Sequence, residues 1–116
     1  MRKISSTVKS KILVDPFYDT CSRWEDGHCD GRITWEHAFI YAGRQIDEVW
    51  AIIPLCEYHH SIGIHHGTGD LQKKKNHWIS LNRATNEELQ KYPRADFIKM
   101  RHDLNKLYGT YNITLW

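Results

Sequence analysis

The clearest alternation of apolar and polar positions lies in GRITWEHAFI, residues 31–40. Read as an extended segment, Ile33, Trp35 and His37 share one face and Thr34 and Glu36 the other, which predicts a half-buried strand. AGRQIDE then reads as a polar connection. VWAIIPLC reads as a short apolar strand that ends near Pro54, because proline donates nothing to a ladder. CEYHHSIGI can open a helix, but Gly63, Gly67 and Gly69 keep it short. Beyond it, Leu71, Trp78, Ile79 and Leu81 recur at roughly helical intervals, and Thr85 and Glu88 have capping-box spacing. Phe97, Ile98, Arg101, Leu104, Leu107 and Tyr108 form a further helical face, with Gly109 as its stop. Residues 1–20 carry Arg2, Lys3, Lys9 and Lys11 and read as a basic arm in which Pro16 interrupts any continuous helix.

Strands followed by helices imply an α+β fold, and 116 residues suffice for one modest domain. Its expected layout is an arm over residues 1–20, a core over 21–70 and a helical extension over 71–116 packed on that core. No run of 18 or more apolar residues and no signal-peptide pattern is present, so a soluble, cytoplasmic protein without membrane contact is expected. The net charge of +2 is too small to argue a polyanionic partner, but Lys73, Lys74 and Lys75 form a local basic run. Such a run is also what an ordinary solvated face looks like.

Composition adds chemistry through the cysteines. Cys21, Cys29 and Cys56 are an odd set and cannot all pair as disulfides. With His59 they supply three thiolates and an imidazole, the donor set of a structural zinc site, and Cys56-x-x-His59 has knuckle spacing. The gap between Cys21 and Cys29 is wider than usual, so SRWEDGH would have to loop out, and His28 is an alternative fourth ligand. Three reduced thiols packed as small apolar side chains would fit the same sequence.

If His59 faces a zinc ion, His60 cannot, because successive helical residues point about 100° apart. Glu36 and His37 likewise project from opposite faces of their strand. A carboxylate and an imidazole leave positions open for water and phosphate, as a catalytic cation requires, and an imidazole is a suitable base near neutral pH.

The order ITWEHAFI, then VWAIIPLCEYHH, resembles the HNH, or ββα-metal, endonucleases over roughly residues 21–66. The resemblance implies a small ββα-metal core with a structural zinc and additional C-terminal helices. It implies that His37 is the general base activating water, and that Glu36 and His60 hold a catalytic divalent cation such as Mg2+ or Mn2+, with His65 as a third candidate ligand. His65 lies one place beyond the usual position, which here is Ile64; His66 is a weaker candidate still. DNA, most simply duplex DNA, is the implied substrate, met by a monomer or homodimer in a bacterial or phage-infected cell, since small free-standing members are frequent in phages and mobile elements. Lys73, Lys74, Lys75 and Arg83, with the arm cations, are the implied phosphate contacts.

Two positions depart from the family pattern. Ala51 stands where the central asparagine that braces the loop is usual, leaving Gln45 or Arg44 as substitute braces. His59 stands where a cysteine is usual, which is conservative for zinc. The first departure keeps open a different class, a zinc-stapled nucleic-acid-binding module on a catalytically impaired fold. A zinc hydrolase of small substrates lacks support, because no HExxH helix pair is present.

Overall fold

The computed structural model describes residues 4–60 and 69–109. Helix α1 (Ser6–Leu13) leads through a 3-10 turn (Pro16–Asp19) and a second one (Trp24–Asp26) to strand β1 (Ile33–His37). A hairpin of β2 (Ile40–Tyr41) and β3 (Arg44–Gln45) follows, then a 3-10 turn (Val49–Ala51) and β4 (Ile52–Cys56). Helix α2 is described at residues 57–60. Helices α3 (Gly69–Leu81), α4 (Asn86–Gln90) and α5 (Phe97–Tyr108) complete an α+β molecule. No helix among the described residues is long and apolar enough to cross a membrane.

β1 and β4 form an antiparallel pair with Glu36 opposite Ile53 and His37 opposite Ile52. β4 does not stop at Pro54 as its sequence suggests but runs through it to Cys56. The Pro54 carbonyl accepts the Ser22 N–H and hydroxyl, both at 2.8 Å, on the side away from β1. In an antiparallel strand a residue's N–H and C=O face the same way, so the missing donor of Pro54 also lies on that outer edge and costs no ladder bond. The segment expected to be a plain polar connection holds the turn and the second strand of the β2–β3 hairpin. Ala42 (φ 52°) and Gly43 (φ 81°) both adopt the left-handed region that a two-residue type I′ turn requires.

The segment read as a basic arm is folded over the sheet. Val8 and Ile12 of α1, with Phe17 and Tyr18, pack with Ile52, Ile53 and Leu55 of β4 and with Ile79 of α3. A second cluster joins Phe39, Ile46, Trp50 and Ala51 to Leu81, Leu89, Phe97 and Leu104 of the C-terminal helices. The predicted capping box is present, with the Thr85 hydroxyl accepting from the Glu88 N–H and the Glu88 carboxylate accepting from the Thr85 N–H. Gly109 ends α5 at φ 91°.

Tyr18 ties these layers to the loop before β4. Its hydroxyl lies 2.7 Å from the carbonyls of both Val49 and Ile52. Burial pushes that hydroxyl from its ordinary 10.0 up to about 12, the nearby Arg83 cation offsetting part of the effect. Because the folded pKa lies above the unfolded one, this contribution to stability is complete below pH 10 and is lost as pH rises through about 12. Tyr18→Phe is expected to cost about 1–3 kcal/mol near neutrality. Denaturant melts should show its deficit against wild type shrinking as pH is raised into that window; a deficit independent of pH would contradict the account.

Candidate functional site

Four side chains widely spaced in sequence meet at one end of β4. The thiols of Cys21, Cys29 and Cys56 and a ring nitrogen of His59 all lie within 4.8 Å of one another. From His59 Nδ1 the sulfurs of Cys21, Cys29 and Cys56 are 3.3, 3.6 and 3.2 Å away. Zinc–sulfur and zinc–nitrogen bonds of about 2.3 and 2.0 Å at a tetrahedral angle give a sulfur–nitrogen edge of roughly 3.5 Å. Donor chemistry and spacing are therefore compatible with a structural zinc site. His28 is not a member of the cluster; its ring lies 6.1 Å from that of Tyr58.

The wide Cys21–Cys29 gap is absorbed by local geometry. Trp24–Asp26 forms a 3-10 turn, and Gly27 (φ 76°), His28 (φ 64°) and Gly31 (φ 84°) turn the chain through the left-handed region on both sides of Cys29. The Asp30 carbonyl then accepts the Tyr58 N–H at 3.2 Å, fastening the loop to α2. Arg23 and Lys75 both bond Asp26 across the base of the loop; burial alone would raise the Asp26 carboxyl, but these two cations hold it below its ordinary value.

Two of the three thiols, Cys21 and Cys29, are held in surroundings that disfavour ionisation. Burial pushes the Cys29 thiol up to about 12, and the neighbouring Cys21 and Cys56 sulfurs add to the rise. Burial also raises Cys21, whereas at Cys56 the effect of burial is outweighed by hydrogen bonds from the His59 and Asp30 backbone, leaving that thiol below its ordinary value. His59 is lowered by burial and by the Arg23 charge, which favours the neutral, ligating form of the ring.

Gly31 supplies a direct test of the loop. A Cβ at this position would lie 2.7 Å from Glu57 Cβ, on a backbone at φ 84°. Gly31→Ala is expected to cost about 1–3 kcal/mol and to weaken zinc binding by about tenfold, as read by competition with a chromogenic chelator. Unchanged affinity and melting temperature would show that the loop does not control how Cys29 is presented.

A second group lies one residue away on α2. His60 Nδ1 is 2.5 Å from Glu36 Oε2, yet it is buried without hydrogen-bond geometry to any partner. The pair is an ion-pair contact if the ring is protonated, and with the ring neutral it offers one carboxylate oxygen and one imidazole nitrogen as ligand atoms. Glu36 and His37 line a cleft of about 420 Å³ whose opposite wall carries Lys73, Asn76 and His77 of α3. The His37 ring is nearly buried, and its Nε2 has no hydrogen-bond partner.

Comparison with protein-family models, with curated proteins and with solved structures returns no match.

The cationic candidates have separate neighbours. Lys73 borders the cleft, Lys74 faces a groove along α5, Lys75 pairs with Asp26, and Arg83 bonds Asp15 at 2.6 Å while its guanidinium lies 3.8 Å from the centre of the Phe17 ring. Lys9 and Lys11 are exposed on α1. His65 and His66, with Arg2 and Lys3, lie outside the described residues.

From the sequence His77 reads as a packing or surface residue of an amphipathic helix, and Asp47 carries no site signal. His77 stacks on Phe39 with ring centres 4.3 Å apart, and burial lowers its pKa, as does the Lys73 charge. Asp47 Oδ1 lies 3.8 Å from His37 Nε2. Neither contact has a local sequence signal, since each joins residues from different elements.

Proposed function

We propose that the chain is a metal-dependent endonuclease of the HNH type that hydrolyses DNA phosphodiester bonds. The observation that carries this reading is that Glu36, which lines one cleft with His37, is in contact with His60, the neighbour of the His59 that belongs to the Cys3His cluster. His37 takes the proton from the attacking water, and its strand fixes where that water must stand. A divalent cation such as Mg2+ or Mn2+ held by Glu36 and His60 supplies positive charge to the phosphate and the departing 3′ oxygen when bound. Lys73, on the opposite wall, offers an ammonium group to the backbone phosphates without reading sequence. The expected products carry a 5′ phosphate and a 3′ hydroxyl.

Ala51 is fully buried in the second apolar cluster, where no bracing side chain is available. Other groups fasten the same loop. Tyr18 bonds the carbonyls of Val49 and Ile52, the Ser80 hydroxyl donates to the Trp50 carbonyl at 2.7 Å, and Tyr92 bonds the Glu48 carboxylate. These bonds support an active over an impaired site.

Plasmid DNA incubated with the zinc-loaded protein and Mg2+ or Mn2+ tests the proposal. Nicking that requires the added cation is expected. No cleavage with any divalent cation, together with salt-sensitive DNA binding, would replace it with the binding-module reading.

A further inference from the structure

A further pair of buried polar atoms without hydrogen-bond partners, among the described residues, lies at His37. His37 Nε2 and Asp47 Oδ1 are both buried, neither has a hydrogen-bond partner, and they face each other at 3.8 Å. Buried polar atoms are seldom left in this state, because each has given up a hydrogen bond to water. The gap is about 1 Å beyond hydrogen-bond length.

Asp47 is not free to turn elsewhere. Its second oxygen, Oδ2, accepts the backbone N–H of Ser5 at 3.0 Å. Ser5 is the N-cap of α1, its hydroxyl accepting from the Val8 N–H, and α1 is anchored in the core by Val8 and Ile12. One carboxylate oxygen is thus tied to the N-terminal helix and the other is presented to the imidazole. On the other side, His37 borders the cleft with Glu36 and Lys73. With Nε2 turned to Asp47, Nδ1 is the ring nitrogen that remains for the cleft.

We propose that Asp47 is the positioning residue for His37: once the ring closes the gap of about 1 Å, Asp47 Oδ1 accepts the Nε2–H, which fixes the ring's orientation and leaves the Nδ1 lone pair directed at the attacking water. Which nitrogen of a histidine carries the proton is set by the hydrogen bond that the other partner offers. An imidazole of the opposite tautomer would present an N–H to the water and could not accept its proton. The role in hydrolysis rests on the endonuclease reading; the hold on the ring does not.

Nitrogen and carbon NMR shifts of labelled histidine in the zinc-loaded protein, with the His37 signals assigned through His37→Gln, separate the two. Wild type should show His37 in the single Nε2–H tautomer, and Asp47→Ala a mixture. Asp47→Asn covers the case in which alanine disturbs the fold, because its one amide oxygen must choose between the Ser5 N–H and the ring, so the tautomer should shift there too. In plasmid nicking both variants should lose about 10- to 100-fold in kcat with KM little changed. A wild-type ring protonated on Nδ1, or one tautomer common to all three proteins, overturns the inference; a shifted tautomer with unchanged kcat overturns the positioning role. Absence of cleavage by wild type sinks the endonuclease reading alone, and the NMR comparison still decides whether Asp47 holds the ring.

Discussion

Metal-free protein is expected to take up one equivalent of zinc and to melt well above its metal-free temperature once loaded. The four donors come from the first loop, the turn before β1, the end of β4 and α2, so one ion would cross-link four segments of the chain. Structural zinc in peptides contributes about 10–16 kcal/mol of apparent binding energy, much of which appears as folding energy. Here two apolar clusters already support the chain, so only part of it is expected as stability. Even about 3 kcal/mol would shift the melting temperature by roughly 10–20 °C in a domain of this size. Native mass spectrometry and thermal melts check this, with Cys56→Ser as the variant: it should lose the zinc and melt with the metal-free protein. If Cys56→Ser melts with wild type, or no zinc is retained, the three thiols are small apolar packing residues and nothing more.

His37→Ala should abolish most DNA nicking, with a loss of about 10²–10⁴-fold in kcat, while zinc content and melting temperature stay near wild type. The separation is expected because the ring lies at the far end of β1 from the metal cluster: His37 pairs with Ile52, whereas Ile33 pairs with Cys56. The ring's Nε2 stands 3.8 Å from Asp47 Oδ1, beyond hydrogen-bond length, so removing the ring breaks no hydrogen bond at that nitrogen. Glu36→Gln should also lose activity, and raised Mn2+ should recover part of that loss, since an amide oxygen is a weaker ligand than a carboxylate. Equal nicking by His37→Ala and wild type would remove the assigned base.

Much of the frame was legible because its signals are local. The β-branched and aromatic residues of ITWEH place β1, although its burial does not alternate and Glu36 and His37 line one cleft; Thr85 and Glu88 cap α4 as their spacing predicts, and Gly109 ends α5. The metal donors were also legible, since chemistry and the Cys56-x-x-His59 spacing suffice to gather them. Failures arose where the decisive partner is distant in sequence. Pro54 reads as a stop until Ser22 is seen to occupy the strand's outer edge, and the Ala42-Gly43 turn lacks the asparagine or aspartate that usually advertises a tight hairpin. Tyr18, Ser80 and Asp47 act on carbonyls 31 and 34 residues away, on a carbonyl 30 residues away and on an amide 42 residues away, separations that no periodicity encodes.

The outer edge of β4 bears on how the molecule can associate. Tyr18 already takes the Ile52 carbonyl and Ser22 the Pro54 carbonyl, while Pro54 has no N–H to offer. A peptide or a second copy arriving in extended form finds this side of the two-stranded sheet without the row of free acceptors and donors that strand addition needs. Sheet extension at β4 is therefore closed to self-association.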